Sequence, residues 1–257
     1  MILNPKKLSI IIPCMNEERG VGKVLSSIPY ELLEKLNFQT QTIVIDNNST
    51  DDTVKVARKH NVTVIKERNK GKGNAIVAGF KAVSDDSDYV VMLDGDNTYK
   101  SREILRMIEP LMSGFCEVVV GTRLGGKTKT NSLKLSNRIV NWGFTFLVRQ
   151  FYGANITDVL SGYYAWKKEV IVKLMPHLEA DGFEVEMDMV TKMKKLGFEM
   201  YSVPITYDKR EGESKIQSIS DGLRILFTFF INLSWKPGRK NRKNPSINPT
   251  LGFDNSL

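Results

Sequence analysis

Cysteine and histidine are scarce: the 257 residues contain two of each, Cys14 and Cys116, His60 and His177. Two cysteines with no CxxC spacing exclude a disulfide framework and a structural zinc site, and they point to a reducing, cytosolic setting. Neither histidine has metal-ligand spacing. Long hydrophobic runs are missing as well. The longest, Leu223 to Trp235, is broken by Arg224 and Asn232 and is shorter than the ~20 residues that span a bilayer, so an integral membrane protein is not expected. The first apolar stretch, Leu8 to Pro13, has neither the length nor the cleavage site of a signal peptide. A dinucleotide-binding fingerprint is absent too: Pro13-Cys14-Met15-Asn16-Glu17-Glu18 stands where its glycines belong, Gly71-Lys72-Gly73 lacks the third glycine, and no Walker-type loop occurs.

Hydrophobic residues make up 41% and charged residues 26%, ordinary globular usage that excludes collagen-like, coiled-coil and wholly disordered chains. The 37 Lys+Arg and 29 Asp+Glu leave a net charge of +8. That surplus is sharpest at the C-terminal end: Gly222 to Phe253 holds six cations and no carboxylate, five of the cations between Lys236 and Lys243. Residues 1–235 read as one domain and 236–257 as a basic, disordered tail.

Apolar β-branched runs at Leu8–Pro13, Gln41–Asp46, Val62–Ile65, Tyr89–Leu93 and Glu117–Gly121 read as buried strands. Helical spacing fills the gaps at Glu18–Ile28, Asp51–Lys59, Gly73–Val83 and Arg102–Met112, with Thr50 and Ser101 as expected caps. The alternation predicts an α/β fold, a mainly parallel sheet with helices on both faces and ligands beyond the strands' carboxyl ends. A Gly/Lys/Thr-rich loop (Leu124–Asn131), a long helix near Leu133–Gln150, a mixed region and a C-terminal amphipathic helix from Ser218 follow. Phe227, Phe229 and Phe230 in that last helix suit core packing or, with Trp235 and the basic tail, contact with a lipid surface through the Ser218 to Lys243 region.

Two strand ends carry acid at once, Asp46-Asn47-Asn48 and Asp94-Gly95-Asp96. The second triplet suits a hard divalent cation, Mg²⁺ or Mn²⁺, held by two carboxylates beside a small residue. Taken alone it is also a common acidic turn.

The ordered series IIPCMNEE, IVIDNNSTDDT, RNKGKGNA, VVMLDGDNTY, VVGTR, SNRIVNW, DVLSGYYAW, GFEVEMDM and VPITYDKREGESK, over roughly residues 8 to 230, resembles the inverting family 2 glycosyltransferases of GT-A (Rossmann-like) fold. The last four motifs are most similar to synthases that move a hexose from a nucleotide-sugar donor to dolichyl or another polyprenyl phosphate. The resemblance implies that Pro13, Glu17, Asp46, Asn48 and Lys72 bind the donor, with Asp94 and Asp96 managing metal and diphosphate. It also implies an anion clamp of Arg123, Arg138, Arg210 and Lys215, with Arg123 and Arg138 on the acceptor phosphate. Asp158 matches the acid that serves as base where the acceptor is a hydroxyl. Some relatives have Gln at the position of Thr98, and several have Arg at Ala165 or Trp166.

The chemistry is consistent with that resemblance. A departing nucleoside diphosphate gathers negative charge, which a metal and fixed cations stabilise. A phosphate monoester, with a second pKa near ~6, is already largely ionised and needs no strong base. Glu186 and Asp188 in GFEVEMDM read as acids at a helix start, structural or paired with the arginines. The resulting expectation is an inverting hexosyl or N-acetylhexosaminyl transfer, UDP-linked in preference to GDP-mannose, peripheral on the cytosolic face of a membrane. Transfer to a saccharide hydroxyl with Asp158 as base is the second reading. A nucleic-acid-binding module is a remote third that lacks aromatic RNP and zinc patterns, so no nucleic acid partner is expected.

Overall fold

A computed structural model of the chain describes residues 4–128, 135–211 and 218–238. Strands β1 (Lys6–Cys14), β2 (Phe38–Asp46), β3 (Thr63–Lys66), β4 (Tyr89–Met92), β5 (Val118–Thr128), β6 (Tyr164–Lys167) and β7 (Met200–Tyr207) form one sheet in the order β3-β2-β1-β4-β6-β5-β7. All pairings are parallel except those of β6, which runs against both β4 and β5. The helices are α1 (Val21–Ser26), α2 (Tyr30–Lys35), α3 (Thr53–Ala57), α4 (Lys72–Ala82), α5 (Ile104–Met112), α6 (Leu135–Tyr152), α7 (Lys168–Leu174), α8 (Val185–Lys195) and α9 (Ser218–Ser234).

The central strands are apolar without alternation because both faces are covered. Their successive side chains still divide by parity. Ile11, Ile43, Ile45, Val90 and Met92 join one core with α4 and α8; Ile10, Ile12, Val44, Val91 and Leu93 join the other with α1 and α5. Burial of each such side chain contributes about 1.5–3 kcal/mol.

Several sequence expectations are corrected. The helix expected at Glu18–Ile28 is shorter, and a separate helix begins after Pro29, whose ring and missing N–H do not continue a helix. Thr50 and Ser101 are not caps: Asp52 and Lys100 stand at the N-cap positions of the turns that follow, the Thr50 amide and hydroxyl both donate to Asn16 Oδ1, and the Ser101 hydroxyl donates to the Val24 carbonyl. Tertiary partners have taken both groups. The loop expected from Leu124 is strand as far as Thr128, where β5 resumes pairing with β7 past an irregularity between Thr122 and Lys127. Gly126 makes this possible, since a Cβ there would collide with the Ile205 backbone. Residues 129–131 of that loop, and tail residues 239–257, lie outside the described residues.

The three phenylalanines of α9 divide. Phe229 is buried, while Phe227 and Phe230 are 67% and 57% exposed. Among the described residues no helix is long and apolar enough to cross a membrane.

Candidate active site

Parallel pairing of β1 with β2 and β4 brings Cys14, Asp46 and the Asp94-Gly95-Asp96 turn to one end of the sheet. Each of the three strands leaves the sheet through an asparagine in the left-handed region, Asn16, Asn48 and Asn97, at φ 52°, 61° and 62°. Asparagine tolerates that conformation better than other non-glycine residues. The loops are then tied together. Asn16 binds Ser49 and Thr50, and Asn47 donates to the Glu67 and Asn69 carbonyls while accepting the Gly71 amide at 2.8 Å.

Between these loops lies an open cleft with about 660 Å³ of empty space, lined by Pro13, Glu17, Asn47, Lys72, Asp94, Phe183 and Arg210 among others. Lys72, in the first turn of α4, sits 2.9 Å from Asp94 and 2.7 Å from Glu186. Burial alone would lower the lysine pKa, but the two carboxylates overcome it and raise the value above the ordinary one. Glu186 moves upward chiefly because it is buried, against the pull of Lys72. Gly162 leaves room for this acid cluster: a Cβ there would collide with Asp94.

Arg210, which also lines the cleft, lies 2.5 Å from Glu17 and 3.3 Å from Asp96. Burial works against its charge, and Asp96 followed by Glu17 more than restores it. The Asp96 carboxylate is oriented by Thr98, whose amide and hydroxyl both donate to Oδ1 at 2.9 and 2.6 Å. Backbone bonds from Asp208 to the Thr98 carbonyl and from Glu211 to the Asp96 carbonyl hold the Arg210 segment over the turn.

Arg123 is paired elsewhere. Its Nε and Nη2 make a two-point contact with Asp158 at 2.8 and 2.7 Å, and its own amide adds a third bond at 2.8 Å. Asn141 of α6 donates a fourth at 2.7 Å. Asp158 is completely buried and its carboxylate is saturated. Burial lowers the Arg123 pKa, but Asp158, helped by Tyr99 and Tyr207, more than offsets it and leaves it well above the ordinary value.

The remaining expected residues are dispersed. Asp46 accepts the Ser49 amide, and Asn48 donates to the Glu67 and Arg68 carbonyls, so both shape the loop beside the cleft. Arg138 is exposed on α6, and Lys215 lies outside the described residues. Glu186 and Asp188, considered as arginine partners, meet lysines: Lys72 for the first, and buried Lys192 with Asn232 of α9 for the second. Ala165 and Trp166 are fully buried in β6, Trp166 stacked on Tyr164. Sequence reasoning missed Asn47 and Asn141, whose roles depend on tertiary partners. It also missed an exposed apolar stripe on α6, Leu135, Ile139, Trp142 and Phe146, whose i, i+4, i+7, i+11 spacing is legible in the sequence.

A mostly parallel seven-stranded sheet with paired acids and facing cations beyond its strand ends is the GT-A-like architecture of glycosyltransferases. In a comparison with solved structures it matches glucosyl-3-phosphoglycerate synthase from Mycobacterium tuberculosis in complex with Mn²⁺, UDP and phosphoglyceric acid, at TM-score 0.68 and 22% identity over 89% of this chain and 79% of that one. The family model "Glycosyl transferase family 2" matches residues 9–175, and the chain belongs to that family. Glycosyltransferase AglJ of Haloferax volcanii is 32% identical over 88% of this chain and 72% of its own. The UDP-N-acetylglucosamine--dolichyl-phosphate N-acetylglucosaminyltransferase of Methanococcus voltae is 27% identical over 78% and 85%.

Proposed function

We propose that this glycosyltransferase moves a hexose or N-acetylhexosamine from a nucleotide-linked donor, UDP-linked in preference to GDP-linked mannose, to a dolichyl or other polyprenyl phosphate, with inversion. The observation that carries the acceptor assignment is the saturation of Asp158. A carboxylate that already accepts four hydrogen bonds inside the protein, two of them from one guanidinium, is a scaffold and not a general base. An acceptor phosphate supplies its own charged oxygen and removes the need for such a base. The relative from Methanococcus voltae, named for transfer to dolichyl phosphate, supports the same acceptor class.

The donor lies in the cleft in this reading, its diphosphate between Lys72 and Arg210, which line one crevice with Asp94, while Asp96 lies against Arg210. The donor set also fits a divalent cation. Asp94 and Asp96 offer hard oxygens, and among the described residues no group of three or more His, Cys, Asp or Glu side chains forms a complete cage. That combination suits Mg²⁺ or Mn²⁺, which commonly use one or two carboxylates plus phosphate oxygens and water. Such an ion, when bound, neutralises charge on the departing diphosphate. Lys72 and Arg210 keep their protons through the neutral range, because their carboxylate neighbours raise both pKa values. Arg123, locked by Asp158, presents a fixed cation without reorganising.

Membrane docking is part of the proposal. Alongside the α6 stripe, α9 exposes Ile219, Leu223, Phe227 and Phe230, so two neighbouring helices offer apolar side chains outward. We place this face on the cytosolic surface of a membrane, where the lipid phosphate is found and the basic segment after Trp235 adds attraction to anionic headgroups. Incubation with labelled UDP- and GDP-sugars and a polyprenyl phosphate tests the assignment. An organic-soluble, phosphate-linked sugar is expected. Transfer to a saccharide hydroxyl with none to lipid phosphate would reject the acceptor.

A further inference from the structure

The first amides of a helix have no partner within it. At the start of α4 the Gly73 amide instead donates to the Asp181 carbonyl at 2.9 Å. Gly71 and Gly73 permit this approach, since a Cβ on either would collide with the backbone of Asp181 or Ala180. Gly182 and Phe183, next in the same segment, line the cleft. The segment is held from outside by one side chain of α9: Arg224 Nη2 lies 2.5 Å from Asp181 Oδ1 and 2.7 Å from Glu184 Oε1. Helix α9 has separate anchors of its own. Asn232 donates to Asp188 and Thr191 of α8, and Tyr152 of α6 donates to the Phe229 carbonyl. The Arg224 bonds therefore serve the segment more than the helix.

We propose that Arg224 is a positioning residue for the cleft: it presses the 181–184 segment against the N-terminus of α4 and so joins helix α9 to Lys72. The effect on donor affinity rests on the cleft being the nucleotide site; the effect on the α4 terminus does not. Hydrogen exchange at Gly73, read without nucleotide, and UDP titration in the presence of Mn²⁺ test the two parts.

Arg224→Gln is expected to speed Gly73 exchange about tenfold or more, as local opening becomes easier. It also weakens UDP binding by about fivefold or more, the lower end of ordinary coupling between sites. Arg224→Lys, a single charge without the planar fork, recovers part of both. Tyr152→Phe, which loosens α9 through a different contact, leaves both near wild type. Unchanged Gly73 exchange in Arg224→Gln, or equal acceleration in Tyr152→Phe, overturns the inference. Wild-type protein that binds no UDP refutes the nucleotide assignment alone, and the exchange comparison still decides the joint between α9 and α4.

Discussion

Replacing Asp158 by asparagine separates the two acceptor readings. In the structure the carboxylate is fully buried and takes bonds from the Arg123 amide, its Nε and Nη2, and Asn141 Nδ2. Asparagine keeps the shape but sets an NH₂ group against one of these donors, and it leaves a buried guanidinium without its counter-charge. Removing one partner of a buried ion pair costs about 3–5 kcal/mol. Taking the lower figure, a chain of this size should melt about 6–12 °C lower. Thermal unfolding followed by circular dichroism, with initial transfer rates across the neutral pH range, provides the test. We expect a large drop in stability and a lower rate, with the shape of the pH profile retained. A variant with wild-type stability whose rate falls by about 10²–10⁴ while the limb of the profile owed to a titrating base vanishes would refute this reasoning and restore Asp158 as a general base.

Lys72 gives a pH prediction. Its pKa in the folded protein is raised above the ordinary 10.5, so the stabilisation it brings is complete below that value and is lost as pH climbs through the folded value. Urea unfolding should show wild type exceeding Lys72→Met by on the order of 3 kcal/mol at neutral pH, the gap narrowing above 10.5; a constant gap contradicts the pairing with Asp94 and Glu186. On the docking face, Leu223→Ser combined with Phe227→Ser should abolish flotation with anionic liposomes while changing stability by no more than about 0.5 kcal/mol per exposed site. Flotation equal to wild type would mean that α9 is not the contact.

The β-branched runs located five strands: four have largely buried cores that announce themselves by composition, while β3, expected to be buried, is an edge strand with Thr63 and Lys66 exposed and only Val64 and Ile65 partly covered. The acids at the ends of β2 and β4 located the crevice because parallel strands deliver their carboxyl ends to one side. Direction was not legible: the four residues of β6, Tyr164 to Lys167, carry no sign of running antiparallel. Caps were not legible either. Thr50 and Ser101 have the right chemistry for a cap, yet their polar groups are used by Asn16 and Val24, far away in sequence. The same limit applies within the site. Glu186 and Lys72 are separated by 114 positions, from 186 − 72, and only the packing of α8 beside α4 pairs them. The α6 stripe was within reach of periodicity, and its two aromatic members resemble core residues until the exposed face is known.

Calorimetric titration of UDP into wild type and Asp96→Asn, each with Mn²⁺ and with EDTA, addresses the shared root of these statements: an acid-anchored cation and fixed arginine and lysine gripping one diphosphate. Binding should require both the metal and the Asp96 carboxylate, with at least about a tenfold loss, ~1.4 kcal/mol, when either is removed. UDP that binds equally tightly in EDTA and to Asp96→Asn, or not at all to wild type with Mn²⁺ present, would contradict the account.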